Sequence, residues 1–405
     1  MSSSKRARTS PALPVLPTAV WAWIFSWLGF RARPSIARVC RSWKATADHP
    51  AALDTNVYPD CLEIPLHLFC KLRATYVDVD ASECSHWIEK AVVLRNMSTL
   101  RQLRVAEWQS DQGIPWPATL EDLTLMHCDF DRPMPLPPAL LHLQLGYDKW
   151  KTPGDKWKTL APVAPTLQSL SQYGRFDSLP TDWSAFGQLT ALRLIGSEWP
   201  SRDNFQLRAE HFRALPKQIT TLCVWVAYSL DWSCLAHMSA LDELTAVMKF
   251  KLGMPREETS NLCRMVADGT WPKLDALSIC FLDYDVHEQQ FEPDFFAPLK
   301  TASSLTSLHL AIMPLDTCSQ SWPAALGQIP RLRRLEFDNC VMNEDTLQLL
   351  CDKRPPIECI EFSGMNEPVT FRALSLLPKL REIVIDRTME LAEWPKDVVV
   401  TVNRC

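Results

Sequence analysis

Glycine is scarce: the 405 residues contain 11. Loops that cradle phosphate depend on glycine, because the backbone itself must approach the anion. No P-loop or G-x-G-x-x-G stretch occurs. Cationic excess is missing too. Lys and Arg total 42 against 47 Asp and Glu, a formal net charge of -5, so there is no global basic field for nucleic acid. The 14 cysteines stand singly, with no Cys-x-x-Cys pair, and many fall inside or beside apolar runs, as in Leu222-Cys223-Val224, Ile279-Cys280-Phe281 and Asn339-Cys340-Val341. Buried reduced thiols of a cytoplasmic or nuclear protein are expected. The apolar stretch Leu13 to Leu28 is broken by Pro14 and Pro17 and is too short to span a bilayer, and no cleavable leader is evident. The 9 histidines are scattered. His86 near Cys84 and His127 beside Cys128 read as surface or repeat edge rather than metal ligands. G-x-S-x-G and H-E-x-x-H are absent as well. The expectation is a non-enzyme without cofactor or metal, binding neither nucleic acid nor membrane.

What is abundant is order of another kind. A short cassette, L-x-x-L-x-L or a close variant, begins at Leu100, Leu120, Leu140, Leu167, Leu189, Ile219, Leu241, Leu274, Leu305, Leu332, Ile357 and Leu380. Self-similarity at this period predicts a solenoid, with one strand per unit stacked on its neighbours. A solenoid grows by adding layers and so escapes the size limit of a single closed core. The cassette leucines point inward and the intervening residues outward, onto the concave side. Pro117, Pro138, Pro165, Pro216, Pro272, Pro330, Pro356 and Pro378 lie just ahead of eight cassettes. They are expected to force an extended entry into the strand. Longer units have room for an outer helix, predicted over Gln206–Leu215, Glu257–Val266 and Glu344–Cys351. Units of 20 residues must return by extended or single-turn segments.

Residues 1–12 read as a disordered tail in which Lys5-Arg6-Ala7-Arg8 is a solvated basic cluster. Residues 13–50 are a separate helical unit without a cassette. Residues 51–99 form a linker and an N-terminal capping repeat, with Tyr76–Asp80 alternating like a strand and Glu83–Arg95 helical. The solenoid runs over 100–397, and 398–405 is a C-terminal cap opened by the strand-like Val398–Val402.

Two resemblances follow. The stretch Leu16-Pro17-Thr18-Ala19-Val20-Trp21-Ala22-Trp23-Ile24-Phe25-Ser26-Trp27-Leu28, with Val39-Cys40-Arg41-Ser42-Trp43 eleven residues on, resembles an F-box in both residue type and spacing. It departs from that pattern at Ala19 and at Ala32-Arg33. The repeats resemble leucine-rich repeats of the kind joined to F-boxes. Leu332–Cys351 is the best copy, with Cys340 at the asparagine-or-cysteine position; Cys128 stands at the equivalent place. Phe130–Leu140 is similar to FNIP-type repeats. The implied fold is an α/β leucine-rich repeat solenoid preceded by a small three-helix F-box.

The resemblance implies the substrate-recognition subunit of a cullin-type, SCF-like ubiquitin ligase. The F-box would bind a Skp-type adaptor through Leu16, Pro17, Val20, Ile24, Phe25, Leu28, Val39, Cys40 and Trp43. The concave face would hold a protein substrate. An alternative stays open: a non-catalytic leucine-rich repeat scaffold with a degenerate F-box. Outward positions between the last two cassette leucines include Arg104, Arg193, His309, Glu336 and Glu361. Asp338 and Asp386 lie two residues beyond, on the same face. This row is expected to be basic early and acidic late, with Trp225 as a central aromatic anchor. These eight residues are the candidate substrate contacts.

Overall fold

The computed structural model describes residues 75–80, 93, 95, 97–110, 116–130, 135–146, 149–150, 155–174, 179–180, 182–196, 209–226, 230–248, 257–281, 295–311, 321–340, 342, 344–364, 371–386 and 398–403. The F-box-like segment, with Leu16, Pro17, Val20, Ile24, Phe25, Leu28, Val39, Cys40 and Trp43, lies outside them, as does most of the helix expected over Glu83–Arg95.

Each cassette forms a strand from its third residue onward. The strands are β1 (Tyr76–Asp80), β2 (Gln102–Ala106), β3 (Gln109–Ser110), β4 (Asp122–Met126), β5 (Asp129–Phe130), β6 (His142–Gly146), β7 (Lys149–Trp150), β8 (Ser169–Gly174) and β9 (Ala191–Gly196). They continue as β10 (Thr221–Val226), β11 (Glu243–Met248), β12 (Ala276–Phe281), β13 (Ser307–Ala311), β14 (Arg334–Asp338), β15 (Cys359–Ser363), β16 (Glu382–Asp386) and β17 (Val399–Asn403). A single 14-stranded sheet takes the order β1-β2-β4-β6-β8-β9-β10-β11-β12-β13-β14-β15-β16-β17. Every pairing in it is parallel. The sheet does not close, and its edges are β1 and β17. This is a leucine-rich repeat solenoid. Tyr76–Asp80 and Val399–Asn403 add the first and last strands to those of the cassettes, the last displaced by one residue from the strand-like Val398–Val402.

One backbone device repeats along the stack. The carbonyl of the second cassette residue accepts two N–H groups from the next unit. Thr306 O, for example, takes Arg333 N at 2.7 Å and Arg334 N at 3.0 Å, and Asp242 O takes Asp275 N at 2.8 Å and Ala276 N at 3.1 Å. The pattern starts at Thr75 O and persists to Glu358 O. It pins the register, so that a one-residue slip, which would turn every leucine outward, is blocked.

The prolines work differently from the expectation of an extended entry. The N–H of the first cassette residue bonds to a carbonyl three residues back, as Leu120 to Pro117, Leu140 to Pro137, Leu274 to Trp271 and Leu332 to Ile329. Pro138, Pro272 and Pro330 each occupy the second position of such a turn, where a fixed φ is preset and no donor is needed. The prolines therefore shape a tight corner ahead of the strand.

Just past several strands the chain takes a second corner. Glu107 (φ 54), His127 (φ 55), Asn339 (φ 49) and Gly364 (φ 61) are left-handed there. After the corner, Trp108, Cys128 and Cys340 turn inward and are buried. The Cys340 thiol donates to Leu310 O at 3.2 Å, and the Cys128 thiol to Met126 O at 3.4 Å. Cysteine thus supplies the turn-satisfying donor at the two positions where the repeat pattern places it. The described cysteines are all free thiols.

The return paths follow unit length. The two 20-residue units and the longer unit that follows them contribute the short strands β3, β5 and β7, which pair in a second small sheet. Longer units carry helices. Glu257–Ala267 and Glu344–Asp352 match the expected spans closely, and Ala209–Arg213 forms the described part of the third. Asp155–Leu160 and Ser321–Leu326 are also helical, and Trp232–Leu235, Ala297–Thr301 and Phe371–Leu376 are 3-10 turns. Between the sheet and these outer elements runs one continuous apolar core, including the fully buried Trp232, Trp271 and Trp322. Trp271 Nε1 donates to Leu235 O at 3.0 Å, satisfying its polar edge. Strands stack about 4.8 Å apart while packed helices need about 8–10 Å, so a stack of this kind is expected to splay on its helical side and curve with the sheet inside. No described helix is long and apolar enough to cross a membrane.

Candidate partner-binding face

Most parallel sheets are covered on both faces. Here the inward residues seal the core, as in the pairs Leu335 and Phe337, Ile360 and Phe362, while outward residues are half-buried or exposed along most strands. The ladder consumes the backbone hydrogen-bonding groups of the sheet. What this face offers a partner is side chains in three rows, one for each outward position of a strand.

The registers join the middle row across the whole sheet: Asp78, Arg104, Thr124, Gln144, Ser171 and Arg193, then Cys223, Thr245, Ser278, His309, Glu336, Glu361, Val384 and Thr401. The candidates Arg104, Arg193, His309, Glu336 and Glu361 fall in it. Asp338 and Trp225 fall in the row two residues further along each strand, beside Ala311 and Val247. The backbone of Asp386 pairs with Asn403 in the same row.

The early part of the row holds Asp78 as well as Arg104 and Arg193. Arg104 Nη1 lies 3.8 Å from Asp78 Oδ2, with the arginine side chain 50% exposed and the aspartate 15%. Strand β1 contributes an acid to the row that cassette counting left out, and it offsets the arginine. Arg193 stays exposed in the middle of the face. The late acidic region is present. Arg334 pairs with Glu361. Ser363 Oγ and Asn339 Nδ2 donate to Asp338 Oδ1 at 2.7 and 2.9 Å. Thr401 Oγ1 donates to Glu382 Oε1 at 2.9 Å. The field of these acids reaches nearby thiols. Cys359 is pushed up, first by burial and then by Glu382, Glu361 and Glu336 against the opposing Arg334. Cys280 rises to about 11, by burial first and then by Asp338 and Cys223. Cys223 also rises to about 11, through burial, with Arg193 opposing.

Ser278, His309 and Glu336 meet across β12, β13 and β14. Ser278 Oγ lies 2.8 Å from His309 Nδ1, and His309 Nε2 lies 3.7 Å from Glu336 Oε1. The order is that of a nucleophile, a base and an orienting carboxylate. Strand N–H groups point along the ladder, however, not out of the face, so they do not converge on an oxyanion above Ser278. Ser278 and His309 are joined by a hydrogen bond, while Glu336 stands beyond hydrogen-bond reach of Nε2. Among the described residues no group of three or more His, Cys, Asp or Glu is placed to hold a metal ion.

The third row escaped sequence reading. From β8 to β13 it runs Tyr173, Ile195, Trp225, Val247, Cys280 and Ala311. It is an apolar stripe, half-buried except for the buried Ala311, that ends against Asp338. The signal was available: extending the period-two rule by one step in every cassette, rather than at Trp225 and the late acids alone, yields the whole stripe.

No protein-family model and no curated protein matches the chain. Solved structures resemble it in fold. The yeast Rad7 and Elc1 complex matches with TM-score 0.46 and 15% identity, over 90% of this chain and 92% of that one. A TLR13–ssRNA13 complex matches with TM-score 0.45 and 14% identity, over 82% of this chain and 51% of that one, so the present chain spans about half of that protein. An internalin from Listeria monocytogenes gives TM-score 0.39 at 13% identity, covering 78% and 84%.

Proposed function

We propose that the chain is a non-catalytic receptor in which the open sheet face holds a protein and the F-box-like N-terminal segment recruits a Skp-type adaptor of a cullin ubiquitin ligase. The observation that carries the reading is a long parallel sheet sealed on one face and open on the other. A surface of that kind, with satisfied backbone and varied side chains, suits recognition of another macromolecule. The candidate contacts Arg104, Arg193, Trp225, His309, Glu336, Asp338, Glu361 and Asp386 belong to the substrate side of this proposal. Asymmetric charge along the face sets a partner's orientation and speeds encounter.

The adaptor half rests on the paired motif of Leu16–Leu28 and Val39–Trp43. Ile24, Phe25 and Leu28 are too many apolar groups for the three short helices expected from the sequence to bury alone, and a partner surface covering them would contribute about 25 cal/mol per Å². The full chain is expected to co-purify with a Skp-type adaptor. Ile24→Asp combined with Phe25→Asp should abolish that binding and leave the melting of the repeats unchanged. Unchanged affinity by calorimetry rejects the docking surface. Absence of wild-type binding at micromolar concentration favours the scaffold with a degenerate F-box, the reading that Ala19 and Arg33 motivate.

A further inference from the structure

We infer that the stripe Tyr173, Ile195, Trp225, Val247, Cys280 and Ala311 is the seat of an amphipathic helix of the partner, whose basic end lies over Glu336 and Asp338. This deepens the receptor reading and rests on it. Three observations carry it.

The first is continuity. Register pairs Tyr173 with Ile195 and runs from Trp225 through Val247 and Cys280 to Ala311; between β9 and β10 it reaches Leu194 and Val224, one residue short of Ile195 and Trp225. Further back, Met126 extends the line across Gly146. A Cβ at that glycine would come within 2.2 Å of Met126 Sδ, so the missing side chain is what lets the methionine lie there. The thiol of Cys280, pushed up to about 11, is neutral and apolar in character. The middle row over the same strands holds Ser171, Arg193, Cys223, Thr245, Ser278 and His309, of which only the buried Cys223 is apolar in character, so apolar side chains gather at one edge of the face.

The second is the state of the backbone. The stripe crosses the strands, and their N–H and C=O groups already serve the ladder. An extended peptide laid there would press its own unpaired amides against apolar side chains and leave them unsatisfied. A helix satisfies its backbone internally and presents an apolar face at i, i+3, i+4 and i+7. Five strand spacings of about 4.8 Å separate Tyr173 from Ala311, roughly 24 Å, which about sixteen helical residues cover.

The third is charge. The stripe stops at Asp338, with Glu336 in the adjoining row and Glu361 one strand further. Arg334 engages Glu361, and His309 approaches Glu336 at 3.7 Å. Lys or Arg on the partner helix complements this corner, while a nucleic-acid backbone is repelled by it.

The test uses the purified full chain and a phage-displayed library of random 18-residue peptides, followed by anisotropy titration of the selected peptides in labelled synthetic form. Selected sequences should share helical apolar spacing with Lys or Arg gathered at one end. Trp225→Ala should weaken them at least about tenfold, the loss of a buried aromatic anchor. Glu336→Lys should shift selection toward acidic ends. Ile195→Ser serves as a second stripe variant, and a melting curve for each confirms that the repeats stay folded. No enrichment, enrichment without helical spacing or basic ends, or a labelled single-stranded RNA that binds with the same dependence on Trp225 overturns the inference. Peptides that lose affinity on Arg193→Glu and Thr245→Arg but keep it on Trp225→Ala overturn the stripe and leave the open-face reading standing. Peptides indifferent to both rows overturn both.

Discussion

Gly364 shows how tightly single positions are specified at the corners. Its φ of 61° is left-handed, and an added Cβ would come within 2.2 Å of the Asn339 side chain. Gly187 has open space around the same site. Gly364→Ala is therefore expected to cost about 1–2 kcal/mol in chemical denaturation, against a change near zero for Gly187→Ala. Equal effects would show that the corner is not strained. The thiols on the open face give a second check. Cys223 and Cys280 are held protonated to about pH 11, mainly by burial. The thiolate is the reactive form, so alkylation in the folded protein should be slow at pH 8 and climb only as pH approaches 11. Because their folded values lie above the ordinary 9.0, these thiols also withdraw stability as pH rises from about 9 toward 11. Fast labelling of either at pH 8 contradicts the burial.

At the scale of the element, the strand and its corner are one device repeated. Phe337 on β14 stacks on Phe362 of β15 with ring centroids 5.7 Å apart and meets Trp322 edge-on at 6.4 Å. Phe337→Ala should cost about 3–5 kcal/mol. Contacts in a solenoid are between neighbours, so hydrogen exchange should rise in β13–β15 well before β2–β8. Uniform acceleration would mean that the stack unfolds as one unit. The strands were legible because their code is strictly local: an apolar residue at fixed offsets, inward by alternation. Helices Glu257–Ala267 and Glu344–Asp352 were legible for the same reason at the helical period. Asp155–Leu160 and Ser321–Leu326 were not, since six residues carry too little periodicity to read. The function of the leading prolines was misjudged, because the same residue fits an extended entry and the second position of a turn. Asp78 was not legible as a member of the row for a different reason. Arg104 meets Asp78 across a strand pairing, and no property of either local segment announces its partner.

The described residues form a long sheet with two unlike faces. One is an unbroken apolar core from Val77 to Ile385. The other is an open sheet with a mainly polar middle row, an apolar edge and an acidic far end. The receptor account requires the partner to sit on that second face while residues 13–50 engage the ligase. Proximity labelling in cells expressing the full chain, with the proteasome inhibited, tests this most directly when wild type is compared with a Trp225→Glu, Glu336→Lys variant. The account predicts labelled proteins that accumulate under inhibition and vanish from the variant, while a Skp-type adaptor stays labelled in both. An unchanged set of labelled proteins in the variant would contradict it.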